Sequence, residues 1–185
     1  MADMGLGRLG DQRLVFKRKF RWTFEVQKVC GGRTIPKFFV KLASRPNLTI
    51  EETEINFLHA KTWIPGKASW ETITVTYYDI STTDLGPLWD WLATVYDFTD
   101  PQGLKMGSNR ESYAAQGILL MYDGCGKEME QWTLNDMWPQ AANFGELDYS
   151  SSEEATIELT LRYSQVKYEP KNGCSPAPNP CCKGC

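Results

Sequence analysis

Polar and apolar residues alternate along several stretches of this chain. Phe20, Trp22, Phe24 and Val26 alternate with Arg21, Thr23, Glu25 and Gln27. A period of two sends each set to one face of a strand. Gly31-Gly32 closes this strand, and Phe38, Val40 and Leu42 predict a short second one, ended by Pro46.

The stretch from Ser44 to Asp79 holds two more such runs. In the first, Ile55 and Phe57 point one way and Glu52, Glu54 and Asn56 the other. In the second, Ile73, Val75 and Tyr77 oppose Thr72, Thr74 and Thr76. Read as two limbs of one hairpin, they put the apolar set in the core and a Thr, Glu and Asn row on a wet face. The connector, from about His59 to Ala68, carries Pro65-Gly66, a turn signal. It exceeds the need of a tight hairpin, so it is expected to project.

The period then changes. Leu85, Leu88, Trp89, Leu92, Val95 and Tyr96 recur at helical spacing, with Asp84 as the expected N-cap and Pro87 in the first turn. Residues 99–112 read as a polar loop. Strands resume at Gly117–Tyr122 and Glu128–Leu134, around an Asp123-Gly124-Cys125-Gly126 turn. Residues 136–144 fit either state. From Thr156 to Tyr163, Ile157, Leu159, Leu161 and Tyr163 alternate with Thr156, Glu158, Thr160 and Arg162. The predicted architecture is a mainly β, antiparallel sandwich or barrel of roughly seven strands, with one helix and a long projecting hairpin. Residues 1–16, interrupted by Gly5, Gly7 and Gly10, read as a flexible arm, 17–169 as the β domain, and 170–185 as a Cys- and Pro-rich tail.

Composition narrows the function. A net charge of −3 gives no global basic field for tight nucleic-acid binding. The N-terminus lacks an uninterrupted apolar h-region, and no run approaches the roughly 18 apolar residues of a membrane-spanning helix. The expectation is a soluble chain made in a cytosol and carried out only by other machinery. His59 is the single histidine, so no conventional triad or His-rich metal site can be built. Glu51, Glu52 and Glu54 raise the thought of a carboxylate-pair hydrolase. The opposing limb offers Thr rather than a second acid, and a solvated face is the simpler reading. No cofactor and no catalytic residue is predicted. The glycines form no phosphate-binding fingerprint.

Six cysteines are spread unevenly. Cys30 and Cys125 fall in the body at strand-end turns, while Cys174, Cys181, Cys182 and Cys185 crowd the tail. Cys182-Lys-Gly-Cys185 is a C-x2-C pair that Cys174 and Cys181 could complete as a zinc site. The adjacent Cys181-Cys182 strains such a chelate, so disulfides are the favoured reading, with cross-links between subunits as one form of it.

The segments FRWTFEV, RPNLTIEETEINF, WETITVTYYD, GPLWDWLATVYDF and AQGILLMYDGCGKEMEQWTLNDMWPQAANFGELDYSSSEEATIELTLRYSQVKY stand here in this order. Together, over about residues 15–168, they resemble the tail-tube proteins of contractile-tailed phages. The resemblance implies hexameric rings that stack into a hollow tube inside a contractile sheath. Its partners would be other copies of the chain, the sheath protein, the tape-measure protein and transiting DNA, in the tail of a virion. Glu52, Glu54, Asn56, Thr72, Thr74 and Thr76 would line the lumen, where a basic wall would hold DNA. Lys61, Trp63, Ile64 and Lys67 on the connector would meet the next ring. The Cys-rich tail departs from the family pattern. The inner tube of a related secretion or injection system is a close variant. A carbohydrate- or receptor-binding β-sandwich with a disulfide-stapled tail is the alternative from another class, resting on Trp63, Trp70 and Trp138.

Overall fold

A computed structural model describes residues 17–29, 31–81, 83–98, 109–123 and 126–171. Ten strands dominate the described residues. The first three are β1 (Trp22–Val29), β2 (Arg33–Ile35) and β3 (Val40–Ala43). Then come β4 (Leu48–Phe57), β5 (Ala60–Trp70) and β6 (Ile73–Tyr78), followed by the helix α1 (Gly86–Val95) and the short α2 (Arg110–Tyr113). The chain closes with β7 (Ala115–Tyr122), β8 (Glu128–Asn143), β9 (Thr156–Arg162) and β10 (Gln165–Pro170).

All strand pairs are antiparallel. The main sheet runs β2-β1-β7-β8-β9-β6-β3, with β10 also on β8. The 16-residue β8 serves both layers of the sandwich. Its first part pairs with β7 and β10, its last part with β9. At the corner, Asp136 takes φ 55°, a left-handed conformation that Asp tolerates better than most residues. The Arg110 guanidinium pins this corner, donating to Asp136 Oδ2 at 2.8 Å and to Ser164 Oγ at 2.5 Å.

Alternation places the core between the layers. Phe24, Val26, Leu119, Leu134 and Met137 come from one sheet, and Ile73, Val75, Tyr77, Ile157, Leu159 and Leu161 from the other; all are buried. The helix covers one side with Leu88, Trp91 and Leu92. Trp91 Nε1 donates to the Tyr113 carbonyl at 2.7 Å, so the buried indole keeps its hydrogen bond.

Several expectations need correction. The limbs of the hairpin are β4 and β5, not β4 and the Thr72–Tyr77 run. The expected connector is itself strand β5, and the turn is at Leu58-His59, where Leu58 takes φ 52°. Pro65-Gly66 makes no turn; it lies in β5 beside a register shift opposite Glu51. Ile55 and Phe57 are 44% and 73% exposed, so neither joins the core of its own subunit. The Ile73, Val75 and Tyr77 half of that expectation holds, because β6 is an inner strand between β3 and β9. Leu85, not Asp84, occupies the helix N-cap, without a side-chain capping bond. Phe20, Phe38 and Leu42 are exposed, Phe38 within a short 3-10 turn. Within the expected 99–112 loop, Arg110–Tyr113 is helical. Residues 136–143 continue β8, and β10 adds a strand the pattern did not reveal. The expected arm, the tail beyond Lys171 and all six cysteines lie outside the described residues.

Candidate assembly surfaces

Among the described residues, no group of three or more His, Cys, Asp or Glu side chains is placed to hold a metal ion. Within the same residues, no helix is long and apolar enough to cross a membrane. His59 sits exposed at the tip of the β4–β5 hairpin. Three surfaces remain that packing within the subunit does not explain.

The first is the hairpin. It grows directly from the β3–β6 edge of the main sheet. Ser44 N donates to Thr74 O at 2.9 Å, and Glu71 N donates to Asn47 O at 3.0 Å. Glu71 staples the root, accepting from Asn47 Nδ2 at 3.0 Å and Thr49 Oγ1 at 2.8 Å. Those two hydrogen bonds hold its carboxyl below the usual range. Beyond the root nearly every residue of β4 and β5 is exposed. Gly66 permits the close crossing at the register shift, since a Cβ there would stand 3.1 Å from the Glu51 carbonyl oxygen.

Residues directly opposite in an antiparallel pair share a face. Glu54 faces Trp63 and Asn56 faces Lys61, while Thr53 faces Ile64 and Ile55 faces Thr62. One face of the outer hairpin therefore carries Glu52, Glu54, Asn56, Lys61 and Trp63, with Lys61 Nζ 2.8 Å from Glu54 Oε1. The other carries Ile55, Phe57 and Ile64. The expected inter-ring set is thus split: Lys61 and Trp63 share the face of the expected lumen residues, whereas Ile64 belongs to the apolar face. Lys67 lies at the register shift, where no partner is in register.

The second surface is the outward side of the sheet formed by β3, β6, β9 and the end of β8. Thr74 lies opposite Thr160, Thr76 opposite Glu158, and Tyr78 opposite Thr156. Asn143 extends the row from β8. The face is mostly hydroxyl; its charged members are Lys41, whose ammonium lies over the Tyr78 ring, Glu158 and Arg162, and Leu42 stands opposite Thr76. Thr72 precedes β6 and is half-buried. The β9 row was visible as an alternating strand, but its place beside Thr74 and Thr76 depends on a pairing between distant segments.

The third surface is an open cleft of about 510 Å³ at one end of the sandwich. Trp22, Leu42, Leu119 and Met121 line it, with Lys17, Lys19 and Arg45 around them. Beside it lies Glu130, 1% exposed. Lys17 pairs with this carboxylate, and Arg45 Nη2 approaches to 3.0 Å. Burial pushes the Glu130 carboxyl up; hydrogen bonds from Lys17 and Trp132 and the charges of Arg45 and Lys17 outweigh it, leaving the pKa lowered. Nothing in the sequence pattern marked this cluster beyond one acid on an inward-facing position of β8.

No protein-family profile matches the sequence, and no curated protein matches it. Solved structures do match in fold. A chain of the anti-feeding prophage baseplate, determined with 6-fold symmetry, aligns at TM-score 0.64 and 14% identity, over 85% of this chain and 97% of that one. A chain of the anti-feeding prophage tube-terminating cap aligns at TM-score 0.64 and 13% identity, over 92% and 99%. A chain of the sheath-tube complex of the PVC extracellular contractile injection system aligns at 0.62 and 14%, over 89% and 97%. This chain therefore shares its fold with chains of contractile-system assemblies. The matched chains are covered almost completely, over 97–99% of their length, so this chain shares their fold nearly end to end.

Proposed function

We propose that this protein is the structural subunit of a tail tube, assembling into hexameric rings that stack into a hollow conduit inside a contractile sheath. One observation carries the reading. A mainly hydroxyl-lined sheet face continues, through β3–β6, into a projecting hairpin with one unpartnered apolar face. A polar wall around a lumen and an apolar strap between rings need such a pair of surfaces in one subunit. The wall comprises Thr74, Thr76, Thr156, Glu158 and Thr160, with Glu52, Glu54 and Asn56 extending it on the hairpin. Its cations are few and share it with acids, Lys41 and Arg162 with Glu158 on the sheet and Lys61 with Glu54 on the hairpin, so it presents no basic stripe that would hold DNA. The strap is the Ile55, Phe57 and Ile64 face, which replaces Trp63 as the centre of the ring-to-ring contact.

The matched assemblies named as injection systems favour the variant in which the conduit belongs to such a particle rather than to a phage tail. Nuclease-protected DNA in purified particles would decide for the phage. In either setting the sheath is the outer partner. The tape-measure protein and the cysteine cross-links of the tail belong to the same proposal.

The test is electron microscopy of the purified protein with Phe57→Ser beside it. Wild type is expected to form hollow six-fold rings and stacked tubes. Phe57→Ser is expected to keep its thermal unfolding midpoint, because the residue lies outside the core, and to stop at single rings. Discrete globules from the wild type at high concentration would overturn the reading.

A further inference from the structure

The loop between β8 and β9 displays two large side chains to solvent: Leu147 is 90% exposed and Tyr149 is fully exposed. Four carboxylates surround them, Glu146, Asp148, Glu153 and Glu154, and residues 144–155 contain no Lys or Arg. The loop is held in shape from within. Asp148 accepts from Ser150 N at 2.9 Å and from Ser150 Oγ at 2.7 Å. Glu153 N donates to Ser151 Oγ at 3.2 Å. At its base Phe144 stacks on Trp89, with centroids 5.5 Å apart. A preordered loop loses little freedom on binding, which makes two exposed apolar side chains effective anchors.

The end-of-sandwich cleft has the complementary character. Trp22, Leu42, Leu119 and Met121 give it an apolar lining, and Lys17, Lys19 and Arg45 a basic rim of which Glu130 neutralises only part. Its 510 Å³ suits one or two large side chains. We propose that the Leu147–Tyr149 loop of one copy docks into the Lys17/Lys19/Arg45 cleft of the next copy, and that this is the contact closing the ring. The proposal deepens the tube reading above by naming the lateral interface.

Two arguments select a second copy as occupant. Leu42 of the cleft stands in one cross-strand row with Asn143, through Thr76 and Glu158, yet Leu147 and Tyr149 remain fully exposed, so the loop does not fill the cleft of its own chain. Two different surfaces meeting head to tail are what a closed cyclic ring requires. Charge decides between this loop and the hairpin tip as the incoming element. Near its tip the hairpin pairs its acid with its own base, Glu54 with Lys61, so its charges cancel there. The loop presents only acids to a basic rim, an arrangement that speeds association and fixes orientation.

A photo-crosslinking amino acid at position 149 of the full chain provides the test, with sedimentation of the wild type, Leu147→Ser/Tyr149→Ser and Lys19→Glu beside it. The expected cross-link joins position 149 to the β1, β3 or β7 segment lining the cleft of another copy. Each substituted chain should keep the wild-type unfolding midpoint and associate at least about tenfold more weakly, as loss of a central anchor or reversal of a steering charge does. A 1:1 mixture of the two variants retains one intact contact per pair and should stop at heterodimers. Rings whose cross-links map elsewhere would overturn this inference and leave the tube reading standing. Cross-links to the cleft in open chains without hollow rings would keep the loop-to-cleft contact, overturn its ring-closing role and sink the tube reading. A wild type without any self-association would sink both.

Discussion

Glu130 shows how one residue joins stability to a surface. Its carboxylate is buried beside the cleft, with Lys17 and Arg45 reaching it from half-exposed positions. Its pKa is lowered in the folded state. A lowered pKa stabilises the fold at neutral pH, above the unfolded value, and that contribution disappears as pH falls through the folded one. Glu130→Gln is expected to lower stability at pH 7 by about 1–3 kcal/mol, the scale of hydrogen bonds to a charged group. In acid, below the lowered pKa, the variant and wild type should converge. Urea titrations at neutral and acid pH would check this, and an equal difference at both would count against the pairing. Tyr77 gives the opposite sign. Its hydroxyl is fully buried with no hydrogen-bond partner among the described residues, and burial pushes its pKa up. Tyr77→Phe removes a desolvated group and should leave stability unchanged or raise it by about 1 kcal/mol, read from the denaturant midpoint. A loss of 2 kcal/mol or more would reveal a hydrogen bond the fold depends on.

Among the elements, alternation was legible wherever one face of a strand is buried. Phe24 and Val26 in β1, Ile73, Val75 and Tyr77 in β6, and Ile157, Leu159 and Leu161 in β9 all sit in the core as their spacing requires. The helix was legible too, although Trp91 at its centre was passed over for Trp89, which is only partly buried. What failed was pairing. The Ile55 and Phe57 alternation is real, but it describes an apolar face that has no partner among the described residues. Period two reports which residues share a face and says nothing about what covers it. Pro65-Gly66 misled for a related reason: a turn signature and a strand irregularity use the same residues. Gly66 is needed because β5 crosses close to Glu51. Gly66→Val should therefore loosen the hairpin alone. Amide exchange across β4 and β5 is expected to accelerate while the β7–β8 amides stay protected. Uniform acceleration would mean that the hairpin helps to hold the core.

For the whole molecule, the polar wall was legible in composition and not in position, and the loop and the cleft were legible in neither. The sequence suggested a Thr-rich polar wall, yet half of that wall is supplied by β9, some eighty residues from β6 in the chain. The acidic loop and the basic cleft are likewise separate patches that gain meaning only through a second copy. The wall carries the proposal that cargo passes without sticking, and this can be tested by adding charge. Thr160 faces outward between Thr74 of β6 and Ala141 of β8, with no acid directly opposite to neutralise a new cation. Thr160→Lys places one lysine per subunit on the wall, and each ring repeats it at every subunit. The core face of β9 is untouched, so folding and ring formation should persist. Short duplex DNA is then expected to be retained by assembled variant tubes in low salt and released as salt rises, since each lysine–phosphate contact adds counterion release. Wild-type tubes should retain little at either salt. Filter retention of labelled DNA on tubes of both kinds measures the difference directly. If the variant assembles and still holds no more DNA than wild type, Thr160 does not face the conduit, and the wall must be sought on another face of the sandwich.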